Sequence, residues 1–519
     1  MNARAKKILL LLLAAALLAV SGQVQKSLDR DRVQLGLTIG EPLQDAPPML
    51  AFTTVALGGF RGLISNLLWI RANDLQVDDK YFEAAQLADW ITDLEPHFAQ
   101  VWVFQAWNMA YNISVKFKEN APGDYSDRWR WVQRGIALLR DKGLRYNPDA
   151  VLIYFQLGQF FQHKMGQNLD DANLYYKQQW AEAMTPFFGA NGTNFESLIH
   201  PQTAEERTNA LGLREQYKID PVFAQKVDGQ YGPLDWRLPE AHAIYWAALG
   251  LKKAGENPDK VKADDLISLR RVIFQSDYQA FKHGRIISNP FTHSVELAPN
   301  LDLVSRVNDA YLFFMNEDPG SSNNIANAHR NFLRDAIYFL YADNRVAEAA
   351  KWYKILGETY PDKTILDNDP NSFPRNLTLD DYAVERIQSE FGDTSQERTT
   401  AMVQGLIAQS YYALAIGQDD RYAGFQLLAR KAYDHYQTQM PSDQGRAGLP
   451  PFDNLQRTAL NQLLDPQKGL PYAARAVLRT QLRMPAETNA PPQTVSTNAI
   501  ASAVLSSSTN SPATNSAGR

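Results

Sequence analysis

The sequence predicts an all-α chain: an array of paired antiparallel helices with irregular insertions, an apolar helix at the N-terminus and a disordered C-terminal tail. Three observations carry this. From Met49 onward apolar residues return at three- and four-residue intervals, which is the spacing of one helical face. Turn signals rich in Pro, Gly, Asn and Asp separate these stretches, as in "ADWITDLEPHFAQVW" (Ala88 to Trp102), where one helix ends, Pro96 makes a corner and another helix opens. No run of alternating β-branched residues interrupts the pattern.

The chain has 519 residues, 45% of them hydrophobic, enough for a large buried core. Its 52 Lys and Arg are interspersed with 57 Asp and Glu for a net charge of −5, so no basic stripe exists to neutralise a phosphate backbone. Nucleic acid is therefore not an expected partner. The absence of cysteine removes disulfides, thiolate metal sites and a cysteine nucleophile together.

Residues 1–22 carry a targeting signal. Arg4, Lys6 and Lys7 precede the apolar run from Ile8 to Val20, and Ala19 and Ser21 stand where a small-x-small cleavage site would place them. The run is short for a span of roughly 20 residues, so both a cleaved signal peptide and a retained membrane anchor stay open. In either case the bulk of the chain is expected to face away from the cytoplasm, with the membrane as a partner if the segment is uncleaved. Residues 23–62 form a linker and lead-in. Within it the apolar stretch from Met49 to Ile70 is broken by Gly58, Gly59, Arg61 and Gly62, and an arginine at its middle would cost roughly 2.5–3.5 kcal/mol in a bilayer, which argues against a second span.

An N-terminal helical array occupies 63–185. Its first pair covers Leu63 to Val77 and Lys80 to Leu94; a second opens at Phe98 and is completed from about Trp129 to Arg145; a third begins with "AVLIYFQLGQFF" and continues through "DDANLYYKQQWAEAM". Residues 186–233 are too rich in Gly, Pro, Asn and Asp for a regular repeat and are expected to be an irregular insertion. A second array spans 234–484. Beyond Met484 the composition turns to Ser, Thr, Asn, Ala and Pro, so 485–519 is expected to be a disordered tail.

Pairs of about 34 positions, with an aromatic early in the first helix, small residues at the crossing and a closing proline, give the chain a resemblance to tetratricopeptide-repeat proteins. The clearest match is "FLRDAIYFLYADNRVAEAAKWYKILGETYPD", where Ala349, Tyr353 and Pro361 fall at the family's small, aromatic and closing positions and Leu356 replaces the usual small residue. Looser matches are "DWRLPEAHAIYWAALGL" with "ADDLISLRRVIFQSDYQAF" and "GLIAQSYYALAIG" with "YAGFQLLARKAYDHY". The resemblance implies a superhelical solenoid in which each pair buries its apolar faces on the next. Trp69, Trp102, Ala84, Ala106 and Ala349 are then core residues.

Chemistry-bearing motifs are mostly absent. There is no phosphate-binding GxxxxGK[ST], no HExxH, no GxSxG and no SxxK, and no two of the eight histidines share a helical face. His97 and His242 read as capping, surface or packing residues. "GGFRG" at Gly58 to Gly62 lacks a preceding strand and reads as a hinge. In "DNDPNSF", Asp367, Asp369 and Asn371 take the alternate positions of a calcium loop, but Ser372 and Thr378 replace its glycine and bidentate glutamate, so the stretch reads as an Asx-rich turn. No cofactor or metal is expected. "DWRLPEAH" places Asp235 ahead of a helix, Pro239 in its first turn and Glu240 at its electropositive end.

The surplus that packing need not exhaust is aromatic and amide: Trp107, Asn108, Tyr111 and Asn112 in one helix, Gln156, Gln159 and Gln162 in another. Such side chains make adaptable contacts along the concave groove that the resemblance implies. The expectation is a non-catalytic, extracytoplasmic scaffold of the bacterial envelope that binds a partner envelope protein. The alternatives are a glycan-active enzyme with an α/α fold, using Asp235 and Glu240 in a cleft lined by Trp236 and Trp246, and a passive glycan-binding module.

Overall fold

A computed structural model describes residues 17, 20–24, 26–28, 30, 60–189, 192–291, 295–367, 369–391, 396–439 and 449–487. Most of the N-terminal signal, Gly58 and Gly59 of the expected hinge, and the tail beyond Glu487 lie outside these residues. Those described between 17 and 30 are helical. No helix among the described residues is long and apolar enough to cross a membrane. The fold is all-α and divides into two units, one ending at Gln105 and the other beginning at Ala106.

In the first unit, α1 (Phe60–Val77) and α2 (Tyr81–Leu94) fold back on each other across a three-residue turn in which Asp79 takes a left-handed conformation, φ 61°. Ala84, Ala85 and Ala88 are buried on α2 opposite Ala72 and Leu75, because small side chains let two backbones approach. α3 (Ala99–Trp107) starts after the corner at Pro96. The indole N–H of Trp102, a residue 3% exposed, donates to the Pro96 carbonyl at 2.8 Å, so the corner angle is tied to the next helix by a buried hydrogen bond. Trp69 is half-buried rather than fully interior, and its ring meets Phe98 and Phe104 at 6.2 and 4.9 Å.

The second unit continues with α4 (Ser126–Ala137), α5 (Val151–Gln159) and α6 (Asn173–Phe188). Three π-helical segments extend this part: Asn108–Ile113 prolongs α3, Leu138–Gly143 prolongs α4 and Phe160–Gly166 prolongs α5. Helix also runs through much of 186–233, expected to be irregular, as α7 (Phe195–Ile199), α8 (Ala204–Gln216) and α9 (Pro221–Tyr231). Local rules explain it: Thr203 and Glu206 form a reciprocal capping box, and Asp220 caps α9 ahead of Pro221 in its first turn. The density of Gly, Asn and Pro marks helix ends there, not the absence of helices. The segment is also stitched to the next stretch of chain, with Asp228 accepting from the Trp236 indole at 2.9 Å and the Tyr245 hydroxyl accepting from the Asp220 N–H at 2.9 Å.

The three repeat-like matches each fold as a helix pair: α10 (Pro239–Glu256) with α11 (Ala263–His283), α13 (Ser322–Ala342) with α14 (Val346–Thr359), and α16 (Gln396–Ala415) with α17 (Asp419–Gln439). α12 (Val304–Glu317) precedes α13, α15 (Leu379–Phe391) precedes α16, and α18 (Phe452–Leu463) and α19 (Tyr472–Gln481) close the array. Ala106, Ala349 and Leu356 are wholly buried. α5 packs most extensively on α10, not on α6, which meets the π-helical continuation of α5 instead. A two-stranded antiparallel ribbon, β1 (Arg285–Ser288) and β2 (Val295–Ala298), pairs Arg285 with Ala298 and Ser288 with Val295. Four residues per strand are too few for alternation to register in the sequence. Glu487 grips the buried Arg475 guanidinium through two hydrogen bonds of 3.0 Å.

Candidate functional site

The site is built where two π-helical segments meet. A π turn carries one more residue than an α turn and re-aims the side chains beside it, and such turns recur at functional positions. Tyr111 lies on the segment after α3, and His163 and Lys164 on the segment after α5. The Tyr111 hydroxyl and His163 Nδ1 are 3.2 Å apart, and the Lys164 ammonium stands 5.2 Å from the centre of the Tyr111 ring. Trp107, one turn before Tyr111, stacks on it at 5.4 Å and 20° while remaining 38% exposed.

Beneath the aromatic wall lies an ionic floor. Lys164, 4% exposed, pairs with Asp170, and Arg128 bridges from Asp170 at 3.1 Å to Asp171 while its Nε–H donates to the Phe117 carbonyl at 2.6 Å. Tyr176 donates to the same Asp170 carboxylate at 3.3 Å. Burial alone would raise the Asp170 carboxyl, but the Lys164 hydrogen bond and charge hold it below the usual carboxylate range. Burial lowers His163, and the neighbouring Lys164 charge lowers it further. The floor thus sets two cations against two anions. Over it opens a cavity of about 520 Å³ whose apolar margin is Val115 and Leu169. Leu169 is 67% exposed at the rim. A preformed cleft with an aromatic wall, a neutralised floor and an apolar rim is suited to taking an amphipathic side chain from another molecule.

Of the residues singled out in the sequence, Tyr111 lines this cleft and Trp107 stacks on it. Asn108 is fully buried and accepts from the Asn112 amide at 3.1 Å. Gln156 is buried on α5. Gln159 donates to Gln162 at 3.0 Å, and Gln162, 2% exposed, donates to Gln275 at 3.1 Å and to the Val272 carbonyl at 3.4 Å, so these amides fasten α5 to α11. The sequence reading did not find Arg128, His163, Lys164 and Asp170. Their only trace is the alternation of cations and acids in "HKMGQNLDD", whose partner Arg128 is 42 residues from Asp170.

Asp235 and Glu240 do not share a cleft. Asp235 is held by the Nε and Nη2 edge of Arg237, at 2.8 and 2.6 Å, whereas Glu240 is 2% exposed in the first turn of α10. Trp236 and Trp246, which were to line the cleft, are 0% and 2% exposed and belong to the core. Burial pushes the Glu240 carboxyl up, opposed by Lys177. His242 is wholly buried, with Nε2 2.8 Å from the Trp236 carbonyl and its ring among Trp180, Phe161 and Trp236 at 4.9, 5.3 and 5.9 Å. It is a packing histidine. Among the described residues no group of three or more His, Asp or Glu side chains is arranged to hold a metal ion.

Comparison of the chain with protein-family models, with curated proteins and with solved structures gives no match.

Proposed function

We propose that the chain is a non-catalytic interaction scaffold of the bacterial cell envelope, facing the periplasm from an N-terminal signal or anchor, that binds a partner envelope protein along the concave face of a tetratricopeptide-like superhelix. The observation that carries this reading is the cleft between the π-helical segments. Its charged groups are already paired with one another, Lys164 and Arg128 to Asp170 and Asp171. What it offers is area: the Trp107 and Tyr111 rings beside the apolar rim of Leu169, the side-chain types that anchor protein interfaces.

The test is purification of tagged full-length protein from native membranes in mild detergent, with mass spectrometry of near-stoichiometric companions, for wild type and Leu169→Glu. The exposed rim residue is chosen because its replacement leaves the ionic floor intact. The scaffold reading expects one envelope protein to accompany wild type and to be lost from Leu169→Glu. A wild-type protein that emerges without companions counts against it. Deleting 186–233 would be a poor substitute, since Asp220 and Asp228 in that segment hydrogen-bond Tyr245 and Trp236.

A further inference from the structure

α1 is apolar on two opposite sides. One side carries Ala72 and Leu75, buried against α2. The other carries Leu63, Leu67, Ile70 and Val77, all between 56% and 85% exposed, and exposed Asp74 completes the row. These five positions follow one another at intervals of four, three, four and three residues, the spacing of a seam by which one helix packs along another. The seam runs through most of the 18-residue helix. Single exposed leucines are ordinary on a folded surface, whereas four aliphatic side chains in one row make a contiguous patch of the kind that marks an interface.

The charges on this face indicate what covers it. Asp74 stands within the seam and Arg71 on its flank; both are exposed, and among the described residues neither makes an ion pair. A lipid surface offers the seam carboxylate no counter-charge, and sinking it into hydrocarbon is costly. A second copy of α1 running antiparallel supplies one. When Leu67 is set against Val77 of the second copy, Asp74 falls beside Ile70 of the second copy, and Arg71 of the second copy, the next residue, flanks the carboxylate. Two-fold symmetry makes this pair twice, so two cations and two anions close the centre of the seam. A parallel pairing would instead oppose the two Asp74 carboxylates across the seam.

We propose that the outer face of α1 is a homodimer interface, an antiparallel helix pair in which Leu67 packs on Val77 and Asp74 pairs with Arg71 of the second copy. The face is complementary to itself in both shape and charge, which is what a two-fold contact requires. The overlap is short, so the interface falls below about 1,200 Å², the class of weak, reversible associations. It lies on α1 and leaves the Tyr111 cleft open for a different partner.

The chain contains no cysteine, so introduced thiols report on this contact alone. Leu67→Cys and Val77→Cys variants of the full-length protein, carrying different tags, are purified reduced in mild detergent and mildly oxidised separately and after mixing. A disulfide needs Cα atoms within about 7 Å. In the antiparallel register two copies of position 67, or of position 77, stand about 15 Å apart along the axis at about 1.5 Å per residue, whereas 67 and 77 face each other. The expected result is a disulfide between differently tagged chains in the mixture and little in either variant alone. No disulfide in the mixture, or as much in each variant alone, overturns the proposal. Sedimentation velocity of cysteine-free chains then tests the charges. Asp74→Arg should raise the dimer dissociation constant at least about tenfold, and the exchange Arg71→Asp with Asp74→Arg should restore it. A wild type that stays monomeric at every concentration, or an Asp74→Arg dimer as tight as wild type, overturns the pairing.

Discussion

Acidification should destabilise this protein through His242, and the size of the effect is set by where the ring lies. It is 0% exposed among Trp180, Phe161 and Trp236, and burial lowers its pKa to about 4, the hydrogen bond to the Trp236 carbonyl opposing only part of the shift. In the unfolded chain the same imidazole titrates near 6.5. The unfolded state therefore takes up a proton that the folded state refuses: the stability held by neutral His242 is complete above the unfolded value and is lost as pH falls from there toward about 4. At about pH 5 the loss is about 2 kcal/mol, and it approaches roughly 3 kcal/mol below the folded value, at about 1.4 kcal/mol per pH unit. His242→Gln keeps an amide donor for the Trp236 carbonyl and does not titrate. Urea unfolding of the two proteins between about pH 7.5 and pH 5 should show wild type losing about 2 kcal/mol more than the variant. The buried acids Glu240 and Asp277, which carry the opposite slope, are common to both and drop out of the difference. Parallel pH profiles would refute the assignment of His242 as a neutral core residue.

Gly424 and Gly405 should behave oppositely. A Cβ on Gly424 would lie 2.0 Å from the Ala342 carbonyl oxygen at the crossing of α17 and α13, so Gly424→Ala should lower Tm sharply. Exposed Gly405 inside α16 has nothing within 4 Å, and Gly405→Ala should stabilise by about 0.5–1 kcal/mol in the same thermal assay. Truncation after Met484 removes Glu487 from the buried Arg475 and should lower the denaturation midpoint, while truncation after Glu487 should leave it unchanged. Trp102→Phe removes the indole donor to Pro96 and should cost about 1–2 kcal/mol by urea unfolding.

Sequence periodicity reveals elements whose burial is one-sided and local. The pair from Ser322 to Thr359 and the corner at Pro96 were legible for that reason, since Ala349, Leu356 and Trp102 repeat at helical spacing and all are interior. The π-helical segments were not, because a single added residue in a helix leaves no compositional mark. The cleft was half legible for the same reason. Tyr111 and Trp107 stood out as aromatic surplus, but the ionic floor depends on Arg128 reaching Asp170 across 42 positions, a pairing that only the packed helices create. The amides misled: Gln159 and Gln162 resemble free recognition groups in the sequence, and packing of α5 on α11 consumes them.

The most direct test of the scaffold account is photo-crosslinking in the native envelope from a photoreactive residue at Leu169, on the cleft rim, with the same residue at exposed Leu211 on α8 as reference. The account predicts one discrete crosslinked partner from position 169 that is absent from position 211. Crosslinks that are missing at 169, or equal at both positions, would contradict it.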